Sequence, residues 1–307
     1  MDSNGLAMRR LIVCAALLAS LSLIAAACGG EGRDGDGRPT PLTLTNEGIA
    51  PIPANSEVVV GPNRFALGLI DQANKPILGR PGTSVQLRFF FDGELKGEQD
   101  ARFVWAIPDA NGFFVADVSF DQAGTWEAEA VLTQDGEETT IRRLTFPVRA
   151  ESQTPNIGDP APAATNLTLG QEPNIKRITT DEKPDQAFYQ MTVTEALSAS
   201  KPFVVIFATP AFCQTRFCGP ILDNVKALRP EFADQVNFIH IEPFELDAEG
   251  KLVTTDSGPV VAAPTEAWKL QSEPWVFVVD AQGRIAARFE GAASPEELRA
   301  AIQAVVG

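Results

Sequence analysis

A chain of 307 residues is long for one typical domain and comfortable for two. Its composition, 44% apolar and 21% charged, can build substantial cores and excludes a disordered chain as the default. With 25 basic against 40 acidic residues, net charge −15, it lacks the basic face that nucleic acid requires, so no nucleic-acid partner is expected. The acidic balance reads as a solvated surface.

The N-terminus carries a basic pair, Arg9 and Arg10, then an apolar run from Leu11 to Ala27, then Cys28. Residues 1–27 read as a secretory signal. The stretch L-I-A-A-A-C resembles a bacterial lipobox, although Ala25 stands three before the Cys where Leu is usual. That resemblance implies that Cys28 becomes the lipidated first residue of the mature chain. The protein would then be secreted and lipid-anchored on the outer face of the bacterial cytoplasmic membrane. The alternative is an uncleaved anchor helix, but a run of 17 residues sits at the short limit for a span. Residues 28–45 are Gly-rich and charged and read as a flexible tether. Of four cysteines, Cys14 leaves with the signal and Cys28 takes the lipid. Cys213 and Cys218 remain, five apart, in a compartment where disulfides persist.

Residues 46–150 read as an all-β sandwich of immunoglobulin-like type. Short Val-, Phe-, Ile- and Thr-rich runs predict strands at 57–60, 64–70, 85–91, 102–106, 113–120, 125–132 and 140–148. Turn residues such as Asp92-Gly93, Asn111-Gly112 and Asp135-Gly136 separate them. Trp105 or Trp126 would serve as the core aromatic. Without His, Cys or clustered carboxylates, this part reads as a spacer or partner-binding module. Residues 151–164 form a Pro-rich linker.

Residues 157–307 alternate helix and strand. Thr192 and Glu195 form a capping box that opens a short helix through Ser198. Phe203–Phe207 is a fully apolar strand of the buried parallel kind. A helix near 220–232 shows Ile221, Leu222, Val225, Leu228 and Phe232 on one face, and strand 236–241 completes a βαβ unit. Residues 275–280 and 284–290 flank the turn Ala281-Gln282-Gly283 as a hairpin. A last helix starts after Ser294, with Pro295 at its first position and Glu297 closing a second capping box.

This order, with a Cys pair between the first strand and its helix, resembles the thioredoxin superfamily. The opening Gly158-Asp159-Pro160-Ala161-Pro162 resembles its membrane-anchored thioredoxin-like and peroxiredoxin-like branch. The most specific segments are 207–213, Cys218-Gly219-Pro220, and Glu273-Pro274 before a strand. The resemblance implies an α/β thioredoxin-like domain, thiol–disulfide exchange with protein thiols or disulfides, and an upstream redox partner. It implies no cofactor. Cys213 and Cys218 would be catalytic. Pro274, the place where the superfamily has a cis proline, would shape a substrate groove with Glu273, Pro210 and Phe212.

The chemistry rests on a thiol at a helix N-terminus, where free N–H groups and the dipole lower its pKa and favour the thiolate. A second nearby thiol then resolves the mixed disulfide. Here the spacing is C-x-x-x-x-C rather than C-x-x-C. On a regular helix, residues five apart lie roughly 8–9 Å apart at Cα, beyond the ~7 Å reach of a disulfide. A bond therefore requires 214–217 to form a loop. Two alignments stay open: Cys213 just past the strand, or Cys218 within Phe217-Cys218-Gly219-Pro220 as the helix-terminal thiol. Many thioredoxins keep a buried acid in the strand before the Cys; Val204–Phe207 has none.

Three competing readings accompany this one. His240, the only histidine, reads as a satisfied sheet residue, and alternatively as a ligand beside Cys213 and Cys218 in a copper-handling site. Thr209-Pro210 resembles the peroxiredoxin T-x-x-C pattern one residue out of register. The pair also suits a non-catalytic interaction lipoprotein with a structural disulfide, although so short a loop gains little entropy.

Overall fold

Val85, Leu87 and Phe89 alternate with Ser84, Gln86 and Arg88 along β3 (Thr83–Phe91), so one face of the strand is buried and the other partly solvated. The same alternation recurs through the first half of the structure, a computed structural model that describes residues 48–306. The signal-like segment, Cys28 and the tether to residue 45 lie outside the described residues.

Strands β1 (Ile49–Pro53), β2 (Gly61–Asp71), β4 (Glu94–Ile107), β5 (Asn111–Phe120), β6 (Gly124–Gln134) and β7 (Glu137–Val148) join β3 in an antiparallel order β1-β2-β5-β4-β3-β6-β7. The long β4 changes partner midway. Its first half pairs with β3 up to Ala101, and its second half pairs with β5 from Arg102. The sheet therefore folds into two leaves around Phe65, Phe89, Phe120, Phe146 and Trp126. Phe65 meets Phe89 edge-on at 5.2 Å, and Trp126, 2% exposed, is the core tryptophan.

Three local expectations change. Ile49–Pro53 is a strand although Pro51 and Pro53 argue against one; it lies at the sheet edge, where proline is tolerated. The expected strand at 57–60 reduces to a bridge between Val59 and Arg149. β4 also begins eight residues earlier than its apolar pattern, because Glu94–Asp100 is exposed on both faces and carries no alternation.

The second half has α1 (Val193–Ser198), β8 (Phe203–Phe207), α2 (Cys218–Phe232), β9 (Asn237–Ile241), a short ribbon of β10 (Thr254–Thr255) and β11 (Gly258–Pro259), α3 (Ala263–Ala267), β12 (Trp275–Val279), β13 (Ile285–Glu290) and α4 (Pro295–Val306). The main sheet has the order β13-β12-β8-β9. β8 and β9 are parallel, and β12 is antiparallel to both β8 and β13. Every residue of β8 and β12 is buried, as for strands covered on both faces. Helices α2 and α4 pack with Val204, Ile206, Val276 and Val278 on one side. α1 and Trp268 pack with Val205, Phe207 and Phe277 on the other. The expected βαβ unit, hairpin and closing helix occur in the expected order, with the β10–β11 ribbon and α3, which the sequence reading does not include, inserted before β12.

Both capping boxes form: Glu195 closes on Thr192, and Glu297 on Ser294. The Pro-rich stretch is held in place: the backbone N–H groups of Gly158 and Ala161 donate to Ile285 and Gly283. The two sheets belong to one compact unit. Arg288 pairs with Glu57 at 3.0 Å, and Glu297 receives both Arg64 at 2.9 Å and Arg102 at 2.6 Å. Phe113 of β5 meets Phe217, the residue before α2, edge-on at 5.3 Å. Among the described residues, no helix is long and apolar enough to cross a membrane.

Candidate functional site

The parallel strands β8 and β9 end side by side, Phe207 opposite Ile241. The carboxyl ends of parallel strands are where α/β sheets place their reactive groups. Here the chain leaves β8 through Ala208 and Thr209 and turns tightly: the N–H groups of Phe212 and Cys213 both donate to the Thr209 carbonyl, at 3.2 and 2.9 Å. Residues 214–217 form a loop, as a close approach of the two cysteines requires. Arg216 takes a left-handed φ of 62°, and α2 begins at Cys218, two residues before the expected start.

This loop brings the thiols together in unequal settings. Cys218 is 0% exposed and Cys213 8%. Cys213 Sγ accepts the backbone N–H of Cys218 at 3.4 Å and lies 3.2 Å from the Thr215 hydroxyl. The Cys218 thiol also donates to Cys213, and this is the largest cause holding the Cys213 thiol down to about 5. Thr215 and the N–H groups of Cys218 and Phe217 add to it, against the opposing effect of burial. The Cys218 thiol is pushed up, first by its bond to Cys213 and then by burial. The pair is a thiolate beside a thiol, with the thiolate at the mouth of α2.

Of the expected groove residues, Pro274 is buried, and Glu273-Pro274 is a cis peptide bond. Glu273 is half-buried, and burial followed by the charge on Cys213 raises its carboxyl pKa. Pro210 and Phe212 are half-buried in the turn before Cys213. A cleft of about 460 Å³ is lined by Glu273, Thr215 and Phe217 together with Ile52, Leu69 and Phe113 from the seven-stranded sheet. Pro210, Phe212, Pro274 and the two cysteines are not among the residues that line it.

The copper-type grouping of Cys213, Cys218 and His240 does not assemble. His240 Nε2 bonds the Ala208 carbonyl at 2.9 Å, so that nitrogen carries the proton. Nδ1 accepts from the Tyr189 hydroxyl at 2.8 Å. Both ring nitrogens are engaged, and burial pushes the imidazole pKa down to about 4. Among the described residues, no three His, Cys, Asp or Glu side chains are grouped to hold a metal ion. His240 is the satisfied sheet histidine, and it anchors the exit of β8.

The charged side chain directly after that strand is less expected. Glu242 is 5% exposed, and burial raises its carboxyl to about 7. It accepts from the Thr180 backbone N–H at 3.0 Å and from the Thr180 hydroxyl at 3.1 Å. That hydroxyl oxygen in turn accepts from the Ala211 N–H of the cysteine turn at 3.2 Å. In the sequence its only signal is an acid directly after a buried strand. Thr180, Thr215 and Phe217 sit in stretches without periodicity and give no signal for their contacts.

No family model matches the chain, and no curated protein matches it. Among solved structures, it is similar to a thiol:disulfide interchange protein of the thioredoxin family from Chlorobium tepidum TLS. That match has 17% identity and a TM-score of 0.32, covering 52% of this chain and all of that one. A superposition this loose leaves the function of the chain to its own geometry.

Proposed function

We propose that this chain is a thiol–disulfide oxidoreductase of thioredoxin type that acts on protein thiols and disulfides. One observation carries the reading: a low-pKa, slightly exposed Cys213 beside a high-pKa, sealed Cys218. A nucleophile must be ionised and reachable, whereas a resolving thiol must wait until the first bond has formed. Cys213 takes the first role and Cys218 the second. Cys213 Sγ⁻ attacks a substrate disulfide, forming a mixed disulfide and releasing one substrate thiolate. Cys218 then attacks Cys213 Sγ, closing the internal bridge and releasing the second. Substrate enters past Glu273, Pro274, Pro210 and Phe212. The β8-α2-β9 unit, the β12–β13 hairpin and closing α4 support a thioredoxin-like assignment.

The seven-stranded sheet supports an immunoglobulin-like assignment for residues 46–150. Its leaves, β1-β2-β5-β4 and β3-β6-β7, follow the ABED and CFG strand orders of that sandwich. The signal-like N-terminus and Cys28 support an extracytoplasmic lipoprotein held by its lipid at the outer face of a bacterial membrane. Reduction of insulin disulfides by the full chain with dithiothreitol tests the activity. The wild type is expected to accelerate it and Cys213→Ser to abolish the acceleration. Equal rates for the two proteins would defeat the proposal and leave a non-catalytic interaction protein.

A further inference from the structure

Gly68 stands inside β2, opposite Ile52 of β1, with no bulge in that register to explain it. A glycine within a strand gives up packing, and one reason for it is that another molecule approaches there. A Cβ at Gly68 would sit 3.7 Å from the Ile52 Cβ and 3.7 Å from the Phe113 ring, so the missing side chain leaves a notch between these two. All three residues line the cleft of about 460 Å³, a volume within the ~300–1,000 Å³ of ligand sites. Ile70, Pro76 and Phe217 extend its apolar lining, and each is only half-buried.

The charged part of the lining has one sign: Glu273 and Glu290 are present, and no Lys, Arg or His is. The Glu290 carboxylate is occupied, accepting from the Ser56 backbone N–H at 2.9 Å and from the Ser272 hydroxyl at 2.6 Å. Glu273, half-buried, has no hydrogen-bond or ion-pair partner among the described residues, and it lies within electrostatic reach of Cys213. Thr215, which also lines the cleft, holds its hydroxyl 3.2 Å from Cys213 Sγ. An apolar notch and an unpaired carboxylate therefore share one cleft next to the reactive thiol.

We propose that this cleft is a substrate subsite built jointly by the two sheets, and that it takes an extended polypeptide segment with a Lys or Arg next to its cysteine and a large aliphatic side chain beyond. The inference rests on the oxidoreductase reading above and names the substrate class for it. The basic side chain pairs with Glu273, and the aliphatic one fills the notch over Gly68 between Ile52 and Phe113. A carboxylate in an apolar cleft favours a cation and rejects a like charge, which gives selectivity in both directions. The seven-stranded sheet is then part of the substrate site rather than a spacer.

The test mixes the reduced full chain with the peptide Leu-Gly-Lys-Cys-Lys-Gly-Leu, its cysteine carrying a thiopyridyl disulfide. The symmetry of the peptide presents the same side chains in either chain direction. Cys213 Sγ⁻ attacks the peptide sulfur, and the released thiopyridone is followed by absorbance in stopped flow. Peptides with both Lys replaced by Glu, or both Leu by Gly, are each expected to react about tenfold more slowly. In Glu273→Gln the Lys preference should fall to about twofold or less, the remainder coming from the net charge of the chain. In Gly68→Leu, which fills the notch, the Leu preference should fall likewise, and Ile52→Ser reads the same wall should that variant disturb β2. Each preference is a ratio within one protein, so a general change in Cys213 reactivity cancels. Equal wild-type rates for the three peptides overturn the proposal. So does a Lys preference that survives Glu273→Gln, or a Leu preference that survives both notch variants. A wild-type chain that reacts with no peptide, or holds the mixed disulfide without releasing the peptide thiol, instead sinks the oxidoreductase reading, and this inference with it.

Discussion

Cys218 donates its backbone N–H to the Sγ of Cys213 at 3.4 Å, and so becomes the first helical amide that the thiolate meets. Within one pair the chain lowers the pKa of Cys213, buried but 8% exposed, and raises that of Cys218, 0% exposed. The mouth of α2 and the loop 214–217 together produce this inequality.

Alkylation of Cys213 by iodoacetamide is therefore expected to follow a midpoint near pH 5 rather than the ordinary value of 9.0. Cys218→Ala removes the largest stabilising hydrogen bond and should raise that midpoint by about one unit or more. The shift also sets a sign for stability. Between about 5 and 9.0 the unfolded chain binds a proton at Cys213 that the folded chain does not. Stability of the dithiol form should thus rise with pH across this window and be lost as pH falls through 5. Urea melts of wild type against Cys213→Ala check this, since the difference between them should widen with pH. A pH-independent difference would contradict it.

Phe217 ties the cysteine loop to the seven-stranded sheet through Phe113. A double-mutant cycle on Phe113→Ala and Phe217→Ala, read by urea unfolding, should give a coupling of about 0.5–1.5 kcal/mol. The same variants should make Cys213 alkylation faster, because Phe217 packs on Phe113 and so holds the loop between Cys213 and α2. Strict additivity would mean that the rings touch without holding the loop.

Glu57 and Arg288 form an ion pair with side chains only 5% and 12% exposed. Glu57 also holds the Ser152 hydroxyl and the Gln153 backbone N–H of the Pro-rich stretch. Glu57→Ala leaves a buried cation without its partner and should cost about 3 kcal/mol in thermal or urea unfolding. Replacing both residues with apolar ones of similar volume should recover much of that loss.

Most of the longer strands and helices and both capping boxes were legible because period and punctuation are local: Phe203–Phe207 has no polar residue, and Thr192 and Ser294 each stand three before a Glu. What was not legible depends on partners far along the chain. Ile49–Pro53 becomes a strand only because β2 offers it an edge. The polar half of β4 has no buried face to mark it. His240 was readable two ways until Tyr189 and Ala208 closed on its ring. The spacing of Cys213 and Cys218 required a loop, but which thiol is the less enclosed depends on the packing around it: Cys213 is 8% exposed and Cys218 0%. The absence of an acid in β8 was visible; the burial of Glu242, just past the end of β9, was not, because it depends on Thr180 far back in the chain.

The most direct test is equilibration of the full chain with defined glutathione ratios, with Cys213 and Cys218 scored by alkylation and mass spectrometry. The account predicts a reversible Cys213–Cys218 bridge with a potential more positive than about −300 mV, above the range of structural disulfides. Thiols that never pair, or a bridge that glutathione cannot open, would contradict it.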